Sequence, residues 1–209
     1  MASIIYLHGF ASSPNSKKAR IFRDRFAAIG TDIEAPELAS EGFHNLTISG
    51  QLQVIESTAA GKRISLIGSS LGGYLAALYA ARHAEVDKLV LLAPAFGFAR
   101  RWEEELGPDV LEQWRATGSR EVMNYATGGP ASLGWQFLED ARKYEEEPAI
   151  LQPCLIYHGV HDDVVPVSAS RSFARTRTCS ELREVDSNHE LLNVIDEVFE
   201  DSRAFLLDA

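Results

Sequence analysis

Residues 68–72 read Gly68-Ser69-Ser70-Leu71-Gly72, a Gly-x-Ser-x-Gly pentapeptide. A serine hydroxyl attacks a carbonyl only when a base takes its proton, and the usual base is a histidine oriented by a carboxylate. Both partners lie downstream, in the order serine, acid, histidine. The acid stands in His158-Gly159-Val160-His161-Asp162-Asp163-Val164-Val165-Pro166 and the imidazole in Asp186-Ser187-Asn188-His189-Glu190. The chemistry these types can do is acyl transfer through a covalent acyl-serine. Ser70 would be the nucleophile, His189 the general base and Asp162 the group that fixes the imidazole tautomer. Asp163 suits a turn or cap instead, and Asp186 is a weaker rival for the acid's place.

Attack on a carbonyl builds charge on its oxygen, which backbone N–H groups can stabilise. One donor follows from the motif itself: the N–H of Leu71, next after the nucleophile. The second is expected from the loop His8-Gly9-Phe10-Ala11-Ser12-Ser13-Pro14. There Gly9 permits close approach of the backbone, Phe10 is the preferred donor and Ala11 the alternative. The Phe10 ring either lines an acyl pocket or fills the core beneath a plain strand-to-helix turn. Among the other histidines, His83 reads as the surface end of a helix and His44 as a loop residue. His158 and His161 form His-x-x-His without a third ligand nearby, so no metal is expected, and the chemistry needs no organic cofactor.

These groups must be carried by elements. An apolar run, Ile64-Ser65-Leu66-Ile67, precedes the pentapeptide, and a helix-prone run begins at Tyr74. Strand, tight turn and helix are what a nucleophile elbow requires. Strand-like runs at 4–8, 32–35, 64–68, 88–93, 155–158 and 182–185 alternate with helical patterns at 16–29, 46–60, 71–82, 168–175 and 189–207. The strands are apolar on both faces, which predicts an α/β doubly wound, mostly parallel sheet of about six strands with helices on both faces. Residues 95–150 break the alternation. They show no convincing strand, carry helical patterns around 102–114, 120–126 and 133–144, and hold Trp102, Trp114 and Trp135. They are read as a helical insertion within a single domain spanning 1–209, either lid-like over the site or an excursion that only adds core.

The 209 residues suffice for one sizeable core, and a formal charge of −10 disfavours nucleic acid and anionic membrane as partners. The basic pairs Lys17-Lys18 and Arg100-Arg101 are read as solvated helix faces. The chain opens without the pattern of a signal peptide and has no run long enough to span a membrane. Cys154 and Cys179 form no metal or redox motif, so a cytoplasmic setting is expected.

The opening Tyr6-Leu7-His8-Gly9-Phe10-Ala11-Ser12-Ser13-Pro14-Asn15-Ser16-Lys17-Lys18-Ala19 resembles that of the YqiA-like (UPF0227) esterases, a small family of α/β-hydrolases. The elbow Gly68-Ser69-Ser70-Leu71-Gly72-Gly73-Tyr74 matches it too, and Asp162 fits the α/β-hydrolase pattern His-Gly-x-x-Asp-x-x-Val-Pro. The 95–150 stretch is not matched. The resemblance implies a minimal α/β-hydrolase fold and carboxylesterase activity on short- to medium-chain acyl esters. Two alternatives stay open. The same triad serves an acyl-CoA thioesterase or a peptidase, although the acidic chain is poorly suited to CoA phosphates. A hydrolase fold can also bind a small ligand without turnover. Oligomeric state is not legible.

Overall fold

Strands that are apolar on both faces must be covered on both sides, and the computed structural model, which describes residues 2–207, shows how. Met1, Asp208 and Ala209 lie outside the described residues. Strand β1 (Ser3–Leu7) leads into helix α1 (Lys17–Ala28), whose N-terminus is capped by the Ser16 hydroxyl accepting from the Ala19 N–H. The short β2 (Ile33–Glu34) stops before Pro36, and Thr47 caps α2 (Ile48–Ala59) in the same way. Then come β3 (Ile64–Ser69), α3 (Leu71–Ala80) and β4 (Val86–Leu92). After an insertion the sheet resumes with β7 (Cys154–Gly159), α6 (Val167–Arg175), β8 (Ser180–Val185) and α7 (Ile195–Leu207).

Among the described residues six strands form one sheet in the order β2-β1-β3-β4-β7-β8, with every pair parallel. Strand alternation divides the core in two. Ile5 and Leu7 face the side covered by α2, α3 and α6, while Ile4 and Tyr6 face α1 and α7. Helix α3 is buried on every side, which explains why it is apolar throughout. No described helix is long and apolar enough to cross a membrane.

The insertion departs from its expected helical form. It contains α4 (Phe98–Thr117), broken at Gly107, where φ is +72°, and at Pro108. An antiparallel hairpin of β5 (Ser119–Asn124) and β6 (Gly129–Gly134) follows, then α5 (Gln136–Ala141). The helix expected over 120–126 is thus a strand, and the one over 133–144 is cut to six residues. The reason is local: Arg120, Val122 and Asn124 turn inward while Glu121 and Met123 turn out, a period of two. Gly128, at φ +75°, and the Asn124 side chain, which accepts from the Ala126 N–H, close the turn. The closing helix also starts later than expected. His189 and Glu190 stand in a loop shaped by the Asn188 side chain, which accepts from the Glu190 N–H, and by Leu191 at φ +57°.

Two readings of basic residues are corrected as well. Lys18 is buried, not solvated, because α1 turns it towards the His189 loop. Arg101 is half-buried, unlike its exposed neighbour Arg100. His83 does stand just beyond α3, but half-buried and stacked on Tyr79 at 3.9 Å.

Candidate active site

Ser70 follows β3 directly and adopts φ +54°, ψ −118°. A non-glycine residue held there stores about 1–3 kcal/mol of strain and needs firm support. Its N–H donates to the Leu92 carbonyl at 2.8 Å, and its own carbonyl accepts from Gly73 N–H at 2.9 Å and Ala95 N–H at 3.0 Å. The side chain makes no capping bond to α3, so the hydroxyl is left for other work. The flanking glycines are required by space: a Cβ on Gly72 would lie 2.1 Å from the Leu7 carbonyl oxygen, and one on Gly68 2.4 Å from that of Gly72.

Gly9 packs against the serine, its Cβ position lying 3.4 Å from Ser70 Cβ. The buried His8 orders this loop. Its Nε2 accepts from the Leu38 N–H at 3.3 Å, so Nδ1 carries the hydrogen and donates to the Gly9 carbonyl at 3.0 Å. Because the peptide is trans, fixing that carbonyl points the Phe10 N–H the opposite way. Among the described residues neither the Phe10 N–H nor the Leu71 N–H has a protein acceptor. Leu71 is the first residue of α3, where N–H groups are unpaired and the helix dipole favours negative charge. Ala11, the alternative donor, sits at φ +53° with its carbonyl accepting from Ala126 N–H at 3.1 Å. The hairpin tip therefore braces the Phe10 loop.

Asp162 and His189 meet. The carboxylate Oδ2 accepts from His189 Nδ1 at 2.7 Å, while Oδ1 accepts from the N–H groups of Val164 at 2.9 Å and Val165 at 2.7 Å. The turn role expected of Asp163 is thus filled by Asp162. Burial opposes charge on Asp162, but hydrogen bonds from His158, His189 and the Val165 N–H outweigh it and hold the carboxyl well below its usual range. An ionised carboxylate on Nδ1 leaves His189 Nε2 as the nitrogen able to take a proton. Asp163 and Asp186 are exposed, and Asp186 pairs with His161 at 2.9 Å. No hydrogen bond joins the Ser70 hydroxyl to His189 among the described residues; such contacts often tighten only with substrate in place.

Ser70, Asp162 and His189 follow β3, β7 and β8, so all three stand at the C-terminal edge of the sheet. A cavity of about 690 Å³ opens there, lined by Ser70, Leu71 and Phe10, by Phe98 and Trp102 of α4, and by Val164 and Val165 beside Asp162. It is large enough for a small organic substrate. The Phe10 ring serves both readings. It faces the cavity and packs on Trp102 at 5.1 Å, Phe137 at 5.3 Å and Phe43 at 5.7 Å. One grouping with ligand-type geometry exists among the described residues, Glu56, His83 and Glu85, but it lies at the opposite end of α3.

The profile of an uncharacterised protein family, UPF0227, matches residues 3–206. The chain belongs to UPF0227. A curated relative of this UPF0227 protein, the AB hydrolase superfamily protein YisY of Bacillus subtilis, is 29% identical, covering 86% of this chain and 81% of that protein. A structure from Agrobacterium vitis superposes with a TM-score of 0.82 at 25% identity, covering 97% of this chain and 87% of that one. Mouse alpha/beta hydrolase domain-containing protein 10 gives 0.81 at 18% identity, over 98% and 89% of the two chains. The UPF0227 protein therefore has the α/β-hydrolase fold, and a hydrolase is the class these relationships support.

Three residues beside the candidate triad escape a reading of types and order. His158 is fully buried; its Nε2 faces the Val165 carbonyl at 2.8 Å and Asp162 Oδ2 at 3.2 Å, and its Nδ1 meets the Ser170 hydroxyl at 2.7 Å. It anchors the acid's loop. Lys18 Nζ donates to the His189 carbonyl at 3.4 Å, tying the His189 loop to α1. Arg101 lines the cavity. The signals for His158 are its position near the end of β7 and its place at the head of the pattern His-Gly-x-x-Asp-x-x-Val-Pro.

Proposed function

We propose that this protein is a serine carboxylesterase acting on short- to medium-chain acyl esters. The Asp162–His189 hydrogen bond, at the sheet edge that carries Ser70 in a strained turn, is the observation that carries the reading. His189 takes the Ser70 proton as the hydroxyl attacks the ester carbonyl. The N–H groups of Phe10 and Leu71 receive the charge on the oxygen. His189 then protonates the leaving alcohol, and water releases the acyl group by the same route. Asp162 holds the imidazole and stabilises its cation. Fold neighbours include Est1E from Butyrivibrio proteoclasticus, solved with ferulic acid bound, and an esterase domain from Rhodothermus marinus. Cys154 and Cys179 are free thiols, which suits a cytoplasmic setting.

The test is hydrolysis of 4-nitrophenyl butyrate by wild type and Ser70→Ala, with melting curves showing that both fold. The variant is expected to lose about 10⁴-fold or more in kcat. Turnover within about tenfold of wild type would exclude Ser70 as nucleophile.

A further inference from the structure

Arg101 is the cationic side chain among the residues lining the cavity, and the mechanism above leaves it unused. It sits in the first turn of α4, its N–H on the Gly97 carbonyl, and its side chain lines the same cavity as Ser70 and Phe10. Its Nη1 is buried without a hydrogen-bond partner, and the guanidinium forms no ion pair among the described residues. The contrast with Arg100 is direct: that side chain reaches Glu104 at 3.0 Å and Glu146 at 3.1 Å. Burial, and then the charge of Arg100, make the Arg101 cation less favourable than usual, while Asp162, Glu105 and Glu104 lie near enough to favour it without bonding it. A guanidinium stays charged in such a place, and an unsatisfied buried N–H is costly.

An acceptor is what the group lacks. Three acidic residues, Glu104, Glu105 and Asp163, also line the cavity, but all are exposed, where water and salt screen them, and Glu104 is held by Arg100. They disfavour a multiply charged ligand more than a single anion seated on a buried nitrogen. A carboxylate matches the guanidinium fork best. Building on the esterase reading, we infer that the preferred ester carries one carboxylate, on its acyl or its alcohol side, and that Arg101 binds it. Arg101 is then the residue that sets specificity.

Three matched esters separate the cases: benzyl butyrate, monobenzyl succinate with the carboxylate on the acyl side, and 4-(butyryloxymethyl)benzoate with it on the alcohol side. Each consumes one water and yields one acid and one alcohol, followed by chromatography. Wild type is expected to favour one charged ester over benzyl butyrate by tenfold or more in kcat/KM. That ratio is expected to fall at least tenfold in Arg101→Met and Arg101→Gln, mainly through KM, and to recover in part in Arg101→Lys. Melting curves confirm that each variant folds. Equal or better use of benzyl butyrate by wild type, or a ratio unchanged in both neutral variants, overturns the role of Arg101. Failure of all three esters overturns the esterase reading and this one with it, whereas turnover of benzyl butyrate alone overturns only this one.

Discussion

At the scale of the residue, Asp162 does two things with one carboxylate. One oxygen closes the Val164–Val165 turn and the other holds His189, so the acid is positioned by the loop that it shapes. Asp162→Asn keeps the size and the turn but offers the imidazole a neutral partner and can hold it in the wrong tautomer. The variant is expected to lose about 10³–10⁴ in kcat with little change in KM, measured by steady-state hydrolysis of 4-nitrophenyl butyrate. Ser70, Asp162 and His189 are legible from the chain because acyl transfer demands those types and the α/β-hydrolase fold carries them in that order. Lys18, His158 and Arg101 are not, because their roles arise from burial. A lysine or arginine in a polar helix turn reads as solvated until the packing of α1 on the His189 loop, or of α4 over the cavity, is known.

Among the elements, the elbow and the hairpin show where local signals suffice. Strand β3 and helix α3 can cross beside β1 only because Gly68 and Gly72 lack side chains. Gly72→Ala places a methyl group 2.1 Å from the Leu7 carbonyl oxygen, against backbone that cannot yield. The expected result is a loss of about 3 kcal/mol or more of stability, read from urea denaturation or from failure to accumulate as soluble protein. The elbow was legible since its turn, strand and helix all agree. The β5–β6 hairpin was not, since its period of two spans only six residues per strand beside longer helical patterns. Its place is decided by distant partners: the Trp114 indole N–H donating to the Leu133 carbonyl at 3.1 Å, and the Ala126 N–H on Ala11.

Across the whole molecule, the parallel sheet turns three distant sequence positions into neighbours of one edge. Strand ends β3, β7 and β8 deliver Ser70, Asp162 and His189, while the loop after β1 brings Phe10 to the same place. That arrangement was legible because six apolar strands alternating with helices allow few topologies. The cavity's far wall was not, because it is built by the insertion, where Trp102 and Phe98 of α4 meet Phe10 and Phe137 in one aromatic cluster. Together these pieces are proposed to activate one serine. Labelling of the folded protein with a fluorophosphonate, followed by peptide mass spectrometry, tests it most directly. Stoichiometric modification of Ser70 is expected in wild type, none in Ser70→Ala and little in His189→Ala; an unmodified wild type, or a label carried on another residue, would overturn the assignment of Ser70.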